Sequence, residues 1–283
     1  MDKGFIKRIA NWLFLGIPTY NIKVEVKPNT TGNQLHNKNI LITGGSRGLG
    51  FAIAKKCIEE GANVIICGRN IDHLKNAQNE LGDKCKIIEF DIKCVEQIPG
   101  FLDKAFSAFE NKIDCLVNNA GISYHEGSFR NVTVKGFEEQ FDVNFKASYF
   151  MAKFFIERIE SISQSSCESN INILFISSER GSSCEDIPYG LSKATINSLV
   201  GSLAKRLGSK GFRVNGIAPG VTASDMTGNK IDGNYYSETS PNNRIFHPAE
   251  MAEVAAFLLS DASSCISGEI IHCDAGKHLT KLG

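Results

Sequence analysis

The sequence predicts an α/β fold in which a parallel sheet is covered by helices on both faces. From Asn39 onward, strand-like and helix-like segments alternate with short connections between them. Strand segments such as Val64–Cys67 are apolar at every position, which is typical of strands buried on both faces. A glycine-rich turn at residues 44–50 joins the first apolar segment to a helix. Together these observations favour a doubly wound, Rossmann-type sheet.

The predicted elements follow one another in strict alternation. The strand segments are 39–43, 63–67, 86–90, 113–118, 171–177, 212–217 and 269–273. The helix segments are 49–60, 71–81, 95–110, 134–160, 189–208 and 248–260. A chain of 283 residues fits one large domain, which we place at residues 37–283.

Residues 1–36 are predicted to form an N-terminal extension, with a short amphipathic segment followed by a linker. Phe5, Ile9 and Trp12 share one helical face, and residues 28–33 are polar and rich in turn formers. Three interpretations stay open: membrane association through residues 1–20, an organelle-targeting peptide, or a helix docked on the domain. The apolar stretch at residues 12–17 is too short to span a bilayer.

Composition excludes several functional classes. Lys plus Arg and Asp plus Glu number 31 each, so no net charge attracts nucleic acid or an anionic membrane. The nine cysteines include no Cys-x-x-Cys pair. We therefore expect free thiols in a reducing, cytoplasmic location and no metal site.

The glycine-rich turn is predicted to bind a pyrophosphate. Gly44 permits the tight turn, Gly48 lets phosphates approach the backbone, and Gly50 lets the helix pack closely on the strand. The helix N-terminus behind the turn adds a favourable dipole. The predicted contacts in this motif are Thr43, Gly44, Ser46, Arg47, Gly48, Leu49 and Gly50.

The residues after the second strand favour NADP over NAD. A carboxylate here would bind the ribose 2′-hydroxyl of NAD, but the sequence reads Gly68-Arg69-Asn70. Arg69 and Arg47 are therefore predicted to bind the 2′-phosphate of NADP. Asp91, after the third strand, is expected at the adenine amino group, and residues 118–121 end the fourth strand at the same edge.

Three further residues are predicted to form a catalytic set at this edge. Ser178 follows the fifth strand, and Tyr189 and Lys193 lie four residues apart on one face of the next helix. An ammonium beside the phenol is expected to lower the pKa of Tyr189 and make it a general acid–base. Ser178 would hydrogen-bond the substrate oxygen as charge develops on it.

These motifs resemble the short-chain dehydrogenase/reductase family. The resemblance rests on Thr-Gly-x-x-x-Gly-x-Gly at 43–50, Asn-Asn-Ala-Gly at 118–121, Ser178, Tyr189-x-x-x-Lys193 and Pro219-Gly220, and it extends over residues 38 to about 277. Within this family, the sequence is most similar to 3-oxoacyl-(acyl carrier protein) reductases and related NADPH carbonyl reductases. The resemblance implies a seven-stranded sheet of order 3-2-1-4-5-6-7.

The resemblance also implies roles for individual residues. Tyr189 would donate the proton, Lys193 would bind the nicotinamide ribose, Ser178 would orient the substrate, and Asn144 would hold a relay water. Further implied cofactor contacts are Asn118, Asn119, Ala120, Gly121, Pro219, Gly220 and Ser224. The expected reaction is NADPH-dependent reduction of a ketone or aldehyde, with a 3-oxoacyl thioester among the candidate substrates. The alternative is a cofactor-binding regulator or scaffold with little turnover.

Three features depart from the family pattern. The interval of 11 residues from Ser178 to Tyr189 is short, and Glu179 and Arg180 place charge beside the serine. These two residues are expected to contact the substrate or to pair with each other. The polar loop at residues 225–246 has no amphipathic helix pattern, which weighs against a long acyl substrate.

An oligomer is also predicted. The helix at 134–160 is apolar around most of its circumference, so it is expected to be buried on more than one side. In the family that the chain resembles, the equivalent helix pairs across a dimer. We therefore expect a homodimer or homotetramer formed through 134–160 and 189–208.

Overall fold

A seven-stranded parallel sheet forms the centre of the molecule. The computed structural model describes residues 21–23, 32–162 and 170–279. The strands are β1 (Asn39–Thr43), β2 (Asn63–Gly68), β3 (Cys85–Glu89), β4 (Cys115–Asn118), β5 (Ile171–Ile176), β6 (Phe212–Pro219) and β7 (Ile270–Cys273). Their order is β3-β2-β1-β4-β5-β6-β7 with every neighbouring pair parallel. The predicted fold class and strand order are confirmed.

Helices cover both faces of this sheet. They are α1 (Gly48–Glu59), α2 (Ile71–Leu81), α3 (Ile98–Ala108), α4 (Val134–Phe141), α5 (Ala147–Ile162), α6 (Pro188–Leu207) and α7 (Pro248–Leu259). Alternate residues of each strand point to opposite faces, so Leu41 joins one core cluster while Ile40 and Ile42 join the other. The first cluster packs against α3, α5 and α6, and the second packs against α1, α2 and α7.

The predicted single helix at 134–160 is wrong in one respect, because the structure interrupts it. A π-helical segment at Asp142–Lys146 separates α4 from α5. The apolar spacing continues through this segment, so the sequence pattern gave no sign of the interruption. The extra residue in the turn brings Asn144, which is 1% exposed, against the segment that follows β4.

The loop at 225–246 follows β6 and contains no α-helix, as the sequence indicated. It begins with a short 3₁₀ turn at Asp225–Thr227 and continues through isolated bridges, including Tyr236–Arg244. Residues 21–23 lie against it. Ile22 N–H donates to Asn234 Oδ1 at 3.0 Å, and Ile22 accepts from Tyr235 N–H at 3.1 Å.

The amphipathic helix predicted within residues 1–20 lies outside the described residues. Among the residues that the structure does describe, no helix is long and apolar enough to cross a membrane.

Candidate active site

The carboxyl ends of the strands open into a cavity of about 920 Å³. Parallel strands that diverge from β1 to β2 and β4 leave a crevice at this edge, where open α/β sheets bind ligands. Most of the predicted site residues line this cavity: Gly44, Ser46, Arg47, Gly48, Leu49, Gly50, Arg69, Asp91, Ala120, Gly121, Ser178, Tyr189, Lys193, Pro219, Gly220 and Ser224. Thr43, Asn118 and Asn144 lie behind its wall.

The glycines of the turn are required by close approach and by backbone angle. A Cβ on Gly50 would lie 2.4 Å from both Gly44 O and Asn119 Nδ2. Gly48 has φ +56° and its side-chain position opens toward the cavity, where only Ser224 Cβ comes within 4 Å, at 3.8 Å. A side chain at Gly48 would occupy space that a dinucleotide needs, and one at Gly50 would force the helix away from the turn.

The N-terminus of α1 also fits an anionic group. Arg47 is the N-cap residue, and its side chain makes no capping hydrogen bond. The first backbone N–H groups of a helix have no partner within the helix, so a phosphate at this point would satisfy them. The residues present therefore fit the pyrophosphate of a dinucleotide.

Thr43 and the start of the β4 connection brace the turn from behind. The Thr43 hydroxyl accepts hydrogen bonds from the Asn119 and Ala120 N–H groups at 3.0 and 3.2 Å. Asn119 Nδ2 donates to Thr43 O and Gly44 O. Both side-chain polar atoms of the buried Asn118 have no hydrogen-bond partner, which leaves that amide available to a group at the strand end.

Two arginines line the cofactor end of the cavity. Arg69 is exposed after β2, and no carboxylate precedes it at the strand end. Arg47 Nη1 lies 3.3 Å from Asp225 Oδ2 in a highly exposed ion pair, which contributes little to stability. An arriving phosphate can therefore compete for Arg47 at low cost.

Ser178, Tyr189 and Lys193 meet on the opposite side of the cavity. The Ser178 hydroxyl accepts from the Arg180 N–H at 3.3 Å and hydrogen-bonds Tyr189. Lys193 Nζ lies 5.8 Å from the centroid of the Tyr189 ring and donates to Ile176 O at 2.7 Å. The helical spacing that places Tyr189 and Lys193 on one face is thus realised in α6.

The electrostatics of the pair differ from the sequence expectation. Burial raises the pKa of Tyr189, while its hydrogen bond to Ser178 and the charge of Arg180 oppose that rise. Burial also lowers the pKa of Lys193 from 10.5 to about 8. The expected net lowering of the Tyr189 pKa is therefore wrong for this structure, because desolvation outweighs the hydrogen bond from Ser178 and the charge of Arg180.

Asn144 holds the β4 connection against α6. Its Oδ1 accepts from Ile122 N–H at 2.8 Å, and its Nδ2 donates to Ile122 O at 3.0 Å and Ser192 Oγ at 3.1 Å. A Cβ on Gly121 would lie 3.3 Å from Asn144 Oδ1 and 3.5 Å from Lys193 Nζ. Gly121 and Asn144 are therefore packed closely against Lys193 of the catalytic set.

Glu179 and Arg180 do not pair with each other, contrary to one of the two expectations. Buried Glu179 accepts from Lys277 Nζ at 2.7 Å on Oε1, while its Oε2 has no hydrogen-bond partner. Arg180 pairs instead with Glu185, its Nε donating to Oε1 at 2.7 Å and its Nη2 to Oε2. Both residues line the cavity beside Ser178.

The sequence pattern could not place the individual residues that close the cavity from the loop side. Thr222, Asp225 and Met226 line it, and His125 Nε2 lies 2.7 Å from Met226 O. Their position depends on the fold of a polar loop without periodicity, so no sequence pattern could place them. Among the described residues, no group of three His, Cys, Asp or Glu side chains is arranged to hold a metal ion.

Comparisons with known proteins agree with this geometry. A family model described as enoyl-(acyl carrier protein) reductase matches residues 44–278. The chain is 35% identical over 248 residues to the 3-oxoacyl-(acyl-carrier-protein) reductase FabG of Chlamydia muridarum, covering 86% of this chain and 98% of that protein. It is 34% identical to a 3α-hydroxysteroid dehydrogenase of Mediterraneibacter gnavus, covering 85% and 96% respectively.

A solved structure shares the architecture. The 3-ketoacyl-(acyl-carrier-protein) reductase of Brucella melitensis, complexed with NADH, superimposes with a TM-score of 0.77 at 27% identity. The alignment covers 87% of this chain and all of that one. The fold and site together define a nicotinamide-dependent oxidoreductase. More particularly, the chain belongs to the short-chain dehydrogenase/reductase family, which confirms the resemblance found in the sequence.

Proposed function

We propose that this protein reduces a ketone or aldehyde carbonyl to an alcohol with NADPH. The observation that carries the proposal is the placement of Ser178, Tyr189 and Lys193 on one wall of a cavity whose other end is the glycine-rich turn. A regulator that only bound the cofactor would have no need for the hydroxyl and phenol to meet at the point of reaction. We therefore do not favour the scaffold alternative.

Each residue of the set has a task that follows from its position. The nicotinamide cofactor, when bound, supplies the hydride. Ser178 donates a hydrogen bond to the carbonyl oxygen, and Tyr189 transfers its proton to that oxygen as negative charge develops. Lys193, held near Tyr189 by its bond to Ile176 O, binds the nicotinamide ribose. By the same reasoning, Asn144 holds a relay water and the glycine-rich turn contacts the cofactor.

The preference for NADPH rests on Arg47 and Arg69. Both line the cofactor end of the cavity, and no carboxylate stands at the end of β2 to bind a free ribose 2′-hydroxyl. A guanidinium offers several donors to a phosphate.

A 3-oxoacyl thioester is the substrate class that we favour. The alignment of this chain with two relatives named as 3-oxoacyl-(acyl-carrier-protein) reductases covers 98% of the length of each relative. Because the loop at 225–246 forms no amphipathic helix, we infer a short acyl chain rather than a long one.

The first experiment measures NADPH oxidation with acetoacetyl-N-acetylcysteamine, with NADH in parallel. The wild type is expected to turn over the thioester with NADPH. Tyr189→Phe removes only the hydroxyl, so it should abolish turnover and leave the Kd for NADPH within about threefold. Turnover retained by Tyr189→Phe would refute the assignment.

We also propose a homodimer or homotetramer formed through α4, α5 and α6. A row of rings runs from the π-helical segment along α5, in which Phe145, Tyr149, Phe150 and Phe154 contact their neighbours at 5.4–6.0 Å between centroids. Tyr149 is 42% exposed, and on α4 the exposed Phe137 stacks on Phe141. An aromatic row of this kind is typical of a face that a partner covers.

Light scattering at micromolar concentration tests this interface. The wild type should have the mass of a dimer or tetramer, and Tyr149→Glu should dissociate it. Lys75→Glu, on exposed α2 at the other side of the sheet, serves as the control and should leave the mass unchanged. A monomeric wild type would refute the proposal.

We place the enzyme in the cytoplasm and treat residues 37–283 as one domain. The eight cysteines of the described residues are all free thiols, which suits a reducing compartment. Ile22 packs on the small cluster of Ala223, Tyr235 and Ile245, so part of the extension lies on the domain. A flotation assay of chains with and without residues 1–36 distinguishes this docking from membrane association.

A further inference from the structure

Arg180 is a cation in the substrate half of the cavity that the catalytic set does not use. It lies two residues after Ser178, and its backbone N–H donates to the Ser178 hydroxyl. It lines the same cavity as Ser178 and Tyr189, and its charge acts on Tyr189. Its guanidinium therefore stands beside the place where the reacting carbonyl binds.

Glu185 forms hydrogen bonds with only one edge of this guanidinium, the edge that carries Nε and Nη2. Arg180 donates from Nε and Nη2 to the two carboxylate oxygens of Glu185, which fixes the plane of the fork. Within the described part of the chain, no atom accepts a hydrogen bond from Arg180 Nη1. The side chain is 38% exposed, so this free edge is open to solvent or to a ligand.

We propose that Arg180 binds a second oxygen of the substrate, next to the reacting carbonyl, and so selects substrates that carry two oxygen acceptors. This inference rests on the proposed carbonyl reduction and narrows its substrate class to 1,3-dicarbonyl compounds. The thioester carbonyl of a 3-oxoacyl group is such an acceptor. The carboxylate of a free 3-oxo acid is another, but Glu185 already neutralises the guanidinium, so a neutral acceptor is favoured.

The selectivity follows from what happens to Nη1 when substrate enters. A bound substrate removes water from the free edge, and a charged donor left without an acceptor is unfavourable. A substrate with a suitably placed oxygen replaces that water, whereas a simple ketone does not. A site built to hydrogen-bond a group discriminates strongly against an analogue that lacks it.

A matched pair of substrates tests this directly. Acetoacetyl-N-acetylcysteamine carries both carbonyls, and its thioether analogue keeps the reacting ketone and the tail but has a methylene in place of the thioester carbonyl. Arg180→Met should lower kcat/KM for the thioester by about 10- to 100-fold and for the thioether by less than about threefold. Arg206→Met, on the exposed face of α6, is the control and should change neither value.

Two further variants separate binding from folding. Arg180→Lys keeps the charge but loses the fork, and should recover only part of the thioester activity. Glu185→Gln keeps the guanidinium of Arg180 but weakens the ion pair that orients it. This variant should give an intermediate loss of kcat/KM for the thioester and none for the thioether. Acetoacetate, run alongside, distinguishes the carboxylate as acceptor: a greater loss with acetoacetate than with the thioester would overturn the preference for a neutral acceptor.

Other outcomes would overturn the proposal itself. Equal losses on both substrates would mean that Arg180 acts on Tyr189 or on folding, and unchanged activity would mean that it touches no substrate. If the wild type reduces neither compound, the proposed function fails. Calorimetric titration of the thioester into the NADP⁺-loaded protein then decides. Binding by the wild type that is lost in Arg180→Met supports the subsite. Equal binding by the two proteins, or no binding by the wild type, refutes it.

Discussion

Lys193 is expected to destabilise the fold that positions it. Its side chain is 4% exposed, and burial lowers its pKa from 10.5 to about 8. Because a tenfold change in a protonation equilibrium is about 1.4 kcal/mol, the buried ammonium costs about 3 kcal/mol at pH 7. Lys193→Met removes that cost but also the bond to Ile176 O, worth about 1 kcal/mol. We expect this variant to be inactive and about 2 kcal/mol more stable.

The burial of Lys193 also predicts how the stability difference between Lys193→Met and the wild type changes with pH. Between pH 8 and 10.5 the unfolded wild type binds more protons at Lys193 than the folded protein does, so its relative stability rises with pH there. The advantage of Lys193→Met should therefore shrink by about 2 kcal/mol between pH 7 and pH 9.5. The buried cysteines and Tyr189 titrate in both proteins, so their contributions largely cancel in the difference.

Urea unfolding at both pH values, at one protein concentration, measures this difference. Lys205→Met, on the exposed side of the same helix, is the control and should stay within about 0.5 kcal/mol of the wild type. The reasoning is refuted if Lys193→Met is less stable than the wild type at pH 7, or if its advantage does not change with pH.

Three other predictions test the two ends of the cavity. Arg69→Ser should raise the KM for NADPH at least about tenfold in initial-rate assays and leave the KM for NADH within about twofold; equal effects on both cofactors would contradict its phosphate role. Gly50→Ala should lower the free energy of unfolding by at least about 2 kcal/mol and weaken NADPH binding, since its Cβ meets Gly44 O at 2.4 Å. Gly100→Ala, where a Cβ meets nothing within 4 Å, should instead raise that free energy by up to about 1 kcal/mol. Arg180→Met should move the high-pH fall in kcat/KM for reduction to higher pH, because Arg180 lowers the pKa of the proton donor Tyr189; an unmoved profile would contradict this.

The sequence predicted the sheet well because every strand carries its own signal. Runs such as Val64–Cys67 are apolar at each position, and the glycine spacing at 44–50 admits few alternative structures. The π-helical segment at Asp142–Lys146 was not predictable in this way, because apolar residues continue through it from α4 into α5.

In the candidate site, too, the features fixed by local spacing were predictable and those that depend on the tertiary fold were not. Tyr189 and Lys193 could be paired from the sequence, since four residues of helix fix their relation. The partners of Glu179 and Arg180 could not, because Lys277 lies 98 residues away along the chain and Glu185 lies in a loop. The pKa of Tyr189 also depends on how deeply the pocket buries it, which no spacing encodes.

The ion pair between Glu179 and Lys277 constrains the order in which these residues can be acquired. Lys277 is about one-third exposed, so a lysine arriving first stands at the surface at almost no cost. A glutamate arriving first at 179 is a buried carboxylate without a counter-charge, and losing one partner of such a pair costs about 3–5 kcal/mol. That is a large share of the stability of an ordinary domain. The order of the two substitutions therefore matters: Lys277 can be acquired first with little loss of stability, whereas acquiring Glu179 first is strongly destabilising.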